Sequence, residues 1–154
     1  QLDEIAPLRT ATFDVVTALH VLEHVDEPHE FMASLAEHSA GGGLVVVEVP
    51  NGASTVLRVA DAYHRVRGRR WSTRVSPLHP PFHRYAHTER SLRRVIEGAG
   101  LRILELHTLS GLGRDRVRPP GRSRAEWTLR RTAARGLDLL GNREFLFVIA
   151  RTAE

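Results

Sequence analysis

Residues 13–50, FDVVTALHVLEHVDEPHEFMASLAEHSAGGGLVVVEVP, hold two apolar runs on either side of a helical pattern, and that order decides the fold. Phe13 to Leu19 is short, mostly apolar and β-branched, and 43–50 is nearly continuous Leu and Val. Runs of this kind suit strands covered on both faces, as in a parallel sheet. Between them, Asp26 is placed to cap a helix and Glu27 and Pro28 suit its first turn. Phe31, Met32 and Leu35 form an apolar stripe, and Gly41 is placed to end the helix. The expected unit is βαβ, with parallel strands and a right-handed crossover.

Working outward, the same alternation continues. Thr88 is a helix cap followed by Glu89; Leu92, Val95, Ile96 and Ala99 recur at helical spacing, Gly100 closes the helix, and 101–109 (LRILELHTL) is the next strand. The last strand is 144–152 (EFLFVIART). It is preceded by a helical pattern over 123–141 with Trp127, Ala134 and Leu137 on its buried side. The middle, 52–87, is long for a plain loop: it predicts a helix near 54–66 and then an irregular Pro-rich segment, a substrate-side insertion or lid. One α/β domain over 1–154 follows.

Composition narrows the class. At 154 residues and 42% hydrophobic content the chain can bury a real core, which argues against disorder. No apolar run approaches bilayer length, and Gln1 to Pro7 lacks the basic-then-apolar pattern of a signal peptide, so no membrane is expected and the default compartment is cytoplasmic. Cysteine is absent, which removes thiolate nucleophiles and Cys-based zinc sites. Every one of the 22 basic residues is Arg. They concentrate in 65–74 (RVRGRRWSTR) and 113–124 (GRDRVRPPGRSR), either of which could touch phosphate. Neither belongs to a known nucleic-acid module, so two solvated loops are the simpler account.

The turn after the first strand, HVLEH (20–24), has the H-x-x-E-H pattern of inverted zincins. A zincin needs both histidines on a continuous helix, a third ligand elsewhere and an open coordination position. Here the pattern follows a strand directly and Pro28 is only four residues beyond it, so a short turn is expected and no metal. Glu23 and His24 are expected to tie this turn to neighbouring loops, and Glu48, inside the Val-rich strand, should have a partner because a buried unpaired carboxylate is costly.

Residues 13–51 resemble the second half of class I S-adenosylmethionine-dependent methyltransferases, especially small-molecule members related to ubiquinone-biosynthesis O-methyltransferases. The shared features are the Phe-Asp-Val-Val strand, the Leu-Glu-His-Val turn, the Asp-x-Pro helix start, Gly-Gly before a Val-rich strand, and a terminal Pro-Asn; the likeness extends through HRYAHTERSLRRVIEGAGLRILEL (83–106). The resemblance implies a Rossmann-like fold in which the strands from 13 and 43 are the fourth and fifth of seven, with 101–109 and 144–152 the sixth and seventh. It also implies S-adenosylmethionine as cofactor and a small-molecule acceptor. The family's Gly-rich turn after the first strand and the acidic residue ending the second are not found, so the fold is expected to be an incomplete, truncated C-terminal half that is inactive alone. Strand 13–19 should then expose an edge, inviting a missing N-terminal segment, a homo-oligomeric partner or poor solubility.

Site assignments follow from the resemblance and from open-sheet logic, which places the ligand outside the carboxyl ends of the strands, at Leu19 to His24 and Pro50 to Asn51. Leu19 and His20 would line the cofactor's methionine portion. Between the fifth strand and the next helix, where the family builds its acceptor pocket, lie His79, His83, Tyr85 and His87. His83, between Phe82 and Tyr85, and His20 are the candidates for a general base. Asn51, His79, His83 and Tyr85 are the candidates for acceptor binding, and Tyr63 and His64 for a mobile lid. The simpler account makes His87 and Thr88 a helix start and His79 a surface residue. Some ubiquinone-type relatives carry Glu-x-x-Glu-His at this place and use a divalent ion, so His20, Glu23 and His24 are the metal alternative, although His20 departs from that pattern. Two rival functions remain: a non-catalytic, degenerate methyltransferase fragment acting as a partner subunit, and an Arg-rich nucleic-acid-binding protein whose affinity would fall steeply with salt.

Overall fold

The computed structural model describes residues 10–69, 83–109 and 143–153, together with isolated positions between 123 and 136. Its elements run β1 (Phe13–Leu19), α1 (Pro28–Glu37), β2 (Ser39–Pro50), α2 (Thr55–Val66), α3 (Glu89–Gly98), β3 (Arg102–Leu109) and β4 (Phe145–Arg151). The described strands form one sheet in the order β1-β2-β4-β3. β1 and β2 are parallel, as expected for a βαβ unit, and β4 runs antiparallel to both neighbours.

Register explains where the core sits. Val16 and Ala18 lie beside Val45 and Val47, which in turn lie beside Ala150 and Val148. Side chains paired in this way share a face. That face carries Val45, Val47, Val49, Leu146, Val148 and Ala150, all fully buried, and it packs with Met32 and Leu35 of α1 and Leu92, Val95 and Ile96 of α3. The helix stripes anticipated from 3.6-residue spacing are therefore the helices' inner faces. α3 begins at Thr88, whose side chain and that of Ser91 cap each other's backbone N–H groups. It ends before Gly100, which adopts φ +77°.

Two expectations about α1 are corrected. Asp26 does not cap it: Glu27 is the capping residue and makes no side-chain cap bond, with Pro28 opening the first turn. The Asp26 carboxylate is paired instead with Arg84. Gly41 does not end the helix either. α1 stops at Glu37, and β2 starts at Ser39, four residues earlier than the Val-rich run suggests. The glycines are drawn into the strand because the chain's last described residues pair with them: Gly42 N–H donates to the Ala153 carbonyl and Thr152 N–H to the Gly43 carbonyl. A helix was found near 54–66, capped by Ser54. The helix expected over 123–141 and the Arg-rich stretch 113–124 lie largely outside the described residues. No helix among the described residues is long and apolar enough to cross a membrane.

Candidate functional site

β1, β2 and β3 all point their carboxyl ends at one edge of the sheet, and the chain leaves β1 there through a strained residue. His20 has φ 55°, and it is the one non-glycine in the left-handed region among the described residues. Such backbone costs on the order of 1–3 kcal/mol and persists where the surroundings over-determine it. The surroundings here are specific. His20 N–H donates to the Glu48 carbonyl (2.8 Å), its Nε2 lies 3.2 Å from the Glu48 carboxylate, and its ring meets Phe145 edge-on at 5.2 Å. Glu48 thus has the partner its position in the strand demands. Leu19 and Val21, either side of His20, leave apolar side chains exposed at this edge.

The turn then carries Glu23 inward, to 1% exposure. Neither of its carboxylate oxygens has a hydrogen-bond partner. His20 Nδ1 and His24 Nε2 approach Oε1 only to 3.5 and 3.8 Å. The Glu23 main chain behaves differently: its carbonyl accepts from the N–H groups of Arg84 (2.8 Å) and Tyr85 (3.3 Å). Residues 83–87 are therefore strapped across the turn. Asp26 adds two ties, its carboxylate to Arg84 and its carbonyl to the Tyr85 hydroxyl (2.8 Å).

The strap is held from the other side by the loop after β2. Gly52 N–H donates to the His87 carbonyl (2.8 Å), and a Cβ at Gly52 would sit 2.9 Å from the Ala86 carbonyl oxygen. Only glycine allows that approach. The strap delivers His83 against the His24 ring, with centroids 4.8 Å apart, and buries His87. Burial pushes the His87 imidazole below its ordinary pKa; a hydrogen bond to the Leu22 backbone and the Glu23 charge oppose that shift more weakly.

The sequence candidates are thus partly gathered. Leu19, His20, Glu23, His24, His83 and Tyr85 meet at this edge. The tie expected of Glu23 and His24 is made by the Glu23 carbonyl, rather than by its carboxylate, and by the His24 ring against His83. Of the metal alternatives, His20 is turned toward Glu48, while Glu23, His24 and His83 offer ligand atoms that all lie within 4.8 Å of one another. Asn51 is buried with its amide engaged by the backbone, donating to the Arg143 carbonyl and accepting from Ala53 N–H, both at 2.9 Å. His79 lies outside the described residues. Three contributors were missed: the Asp26–Arg84 pair, the Gly52 approach and the burial of His87. For the first no local signal exists, because its partners are far apart in sequence. For Gly52, the glycine directly after Pro-Asn was the available hint.

A family model described as a methyltransferase domain matches residues 2–106, which include the whole turn and strap. No curated protein sequence matches. Solved structures do. An S-adenosylmethionine-dependent methyltransferase of Archaeoglobus fulgidus is 15% identical, with a TM-score of 0.54 over 98% of this chain and 64% of that one. Phosphoethanolamine N-methyltransferase 2 of Haemonchus contortus, in complex with S-adenosyl-L-methionine, is 13% identical, with a TM-score of 0.52 over 92% of this chain and 34% of that one. The [4+2]-cyclase SpnF is 16% identical, with a TM-score of 0.52 over 94% of this chain and 52% of that one. Likeness at this level concerns the fold, and a cyclase among the matches shows that the fold hosts more than one chemistry. The chain spans between 34% and 64% of the length of these three structures.

Proposed function

The chain belongs to the methyltransferase-domain family, and on that premise we propose that the whole protein transfers a methyl group from S-adenosylmethionine to a small-molecule acceptor at the carboxyl edge of β1 and β2. The observation that carries the reading is the His20 turn: a residue with strained, left-handed backbone whose imidazole lies against Glu48, flanked by exposed apolar Leu19 and Val21, at the sheet edge where open α/β folds bind ligands.

These residues fit one end of the cofactor. Leu19 and Val21 suit its aliphatic methionine portion, and the Glu48 carboxylate gives the edge a negative potential that suits a sulfonium cation. When bound, S-adenosylmethionine supplies an activated methyl group. The protein's part is alignment and, for a hydroxyl or amine acceptor, removal of a proton. We assign removal of that proton to His20, a reading supported by the Glu48 carboxylate that lies 3.2 Å from its Nε2. His83 and Tyr85 wall the acceptor side from the strap. A glycine-rich turn for the adenosine half is not in these 154 residues, so the chain alone is proposed to be inactive.

Calorimetry with S-adenosylmethionine tests the reading. The whole protein should give saturable one-to-one heat that Leu19→Arg abolishes, while the 154-residue chain should give none. Absence of heat from the whole protein would remove the methyl-transfer reading and leave the partner-subunit role.

A further inference from the structure

The buried Glu23 carboxylate has no account in the methyl-transfer reading. Both oxygens are sealed from solvent without a hydrogen bond, and a carboxylate so placed costs several kcal/mol unless a cation meets it. Two imidazoles from separate pieces of chain stand beside it: His24 from the same turn and His83 from the strap, their rings 4.8 Å apart. One ligand atom from each of the three residues falls within 4.8 Å of the other two. Bonds of about 2.0–2.2 Å to a shared ion bring such atoms to roughly 3.5 Å from one another, a contraction that side-chain rotation supplies.

The geometry points to a site for one divalent transition-metal ion of the zinc type, held by a carboxylate oxygen of Glu23 and by the imidazoles of His24 and His83. Two nitrogens and one oxygen favour such an ion over magnesium, which takes an octahedral shell of oxygens. Three protein ligands also leave a position open. The set differs from the motif-based one, because His20 faces Glu48 and the third ligand comes from the strap. The ion would satisfy Glu23 and rivet residues 83–87 to the turn, adding to the ties that Arg84 and Tyr85 already make. This inference does not rest on methyl transfer.

The test uses the full chain stripped with a chelator, titrated with zinc and separately with magnesium and followed by calorimetry and by elemental analysis after desalting. Cobalt serves as a visible probe of coordination. One equivalent of zinc should be retained and the unfolding temperature should rise, with no comparable response to magnesium. Glu23→Gln, close in shape to the original, should weaken zinc binding at least tenfold while leaving the circular dichroism unchanged. His24→Ala and His83→Ala should do the same and bleach the cobalt spectrum. His107→Ala, which removes the exposed histidine 2.9 Å from Glu105 on β3, should change nothing. The proposal is overturned if the unaltered chain retains no stoichiometric zinc, if magnesium binds equally well, or if Glu23→Gln leaves the affinity unchanged.

Discussion

The aliphatic core beneath α1 and α3 and the histidine-rich turn at the sheet's carboxyl edge are neighbours built on different principles. The core is made of side chains whose partners are set by register and helical period, and its buried cluster is apolar throughout. The turn gathers a left-handed His20, an unpartnered buried Glu23 and three further imidazoles, and it is held by main-chain hydrogen bonds from a distant strap. Regions that concentrate strain and unpaired polar groups are where proteins place function. The difference teaches that stability and the site can be perturbed separately, and it predicts how.

The largest expected effect belongs to the core. Leu92→Ala removes a fully buried side chain from α3 at the centre of the cluster, and a truncation of this kind costs about 2–5 kcal/mol through lost transfer energy and the cavity left behind. Urea denaturation should show the midpoint falling sharply, while amide exchange at Arg84 and Tyr85 under native conditions stays that of a closed strap. Opening of the strap in parallel would break the comparison, because the two regions would then be one cooperative unit.

Gly52→Ala should invert that pattern. Its Cβ would meet the Ala86 backbone at 2.9 Å, so the strap has to shift, at about 1–3 kcal/mol for an overpacked contact. The core should persist by circular dichroism. Exchange at Arg84 and Tyr85 should accelerate and the contact between the His24 and His83 rings should loosen, measured by nuclear magnetic resonance. Unchanged exchange would mean that the loop after β2 gives way instead of the strap.

The two regions also differ in what the sequence discloses. β1, β2 and the stripes of α1 and α3 follow from residues a few positions apart, because Val45, Val47 and Val49 or Leu92, Val95 and Ile96 carry their own period. Boundaries were less legible: β2 reaches back to Ser39 because Ala153 and Thr152 pair with Gly42 and Gly43, and no local pattern announces partners from the chain's other end. The site shows the same limit more strongly. HVLEH marked the edge and Glu48 announced its need for a partner. The resemblance pointed to His83 and Tyr85, but the bonds from Arg84 and Tyr85 to the Glu23 carbonyl exist only once the chain has closed on itself.

The smallest effect tests whether burial at the strap carries a pH signature that the aliphatic core cannot have. His87 is buried and its imidazole titrates below the ordinary 6.5. Between that lowered value and 6.5 the unfolded chain binds more protons than the folded one, so stability rises with pH there. The contribution is therefore complete above about pH 6.5 and is lost as pH falls through the window, with a slope of at most about 1.4 kcal/mol per pH unit for one proton. His87→Asn keeps a donor for the Leu22 backbone without titrating, so denaturation midpoints of the metal-free variant, measured in chelator from neutral to mildly acid pH, should fall less steeply than those of the unaltered chain. Equal slopes would mean that the strap releases His87 to solvent as it protonates, and that its burial stores no free energy. Equal slopes accompanied by faster exchange at Arg84 and Tyr85 in acid would locate that release in the strap itself.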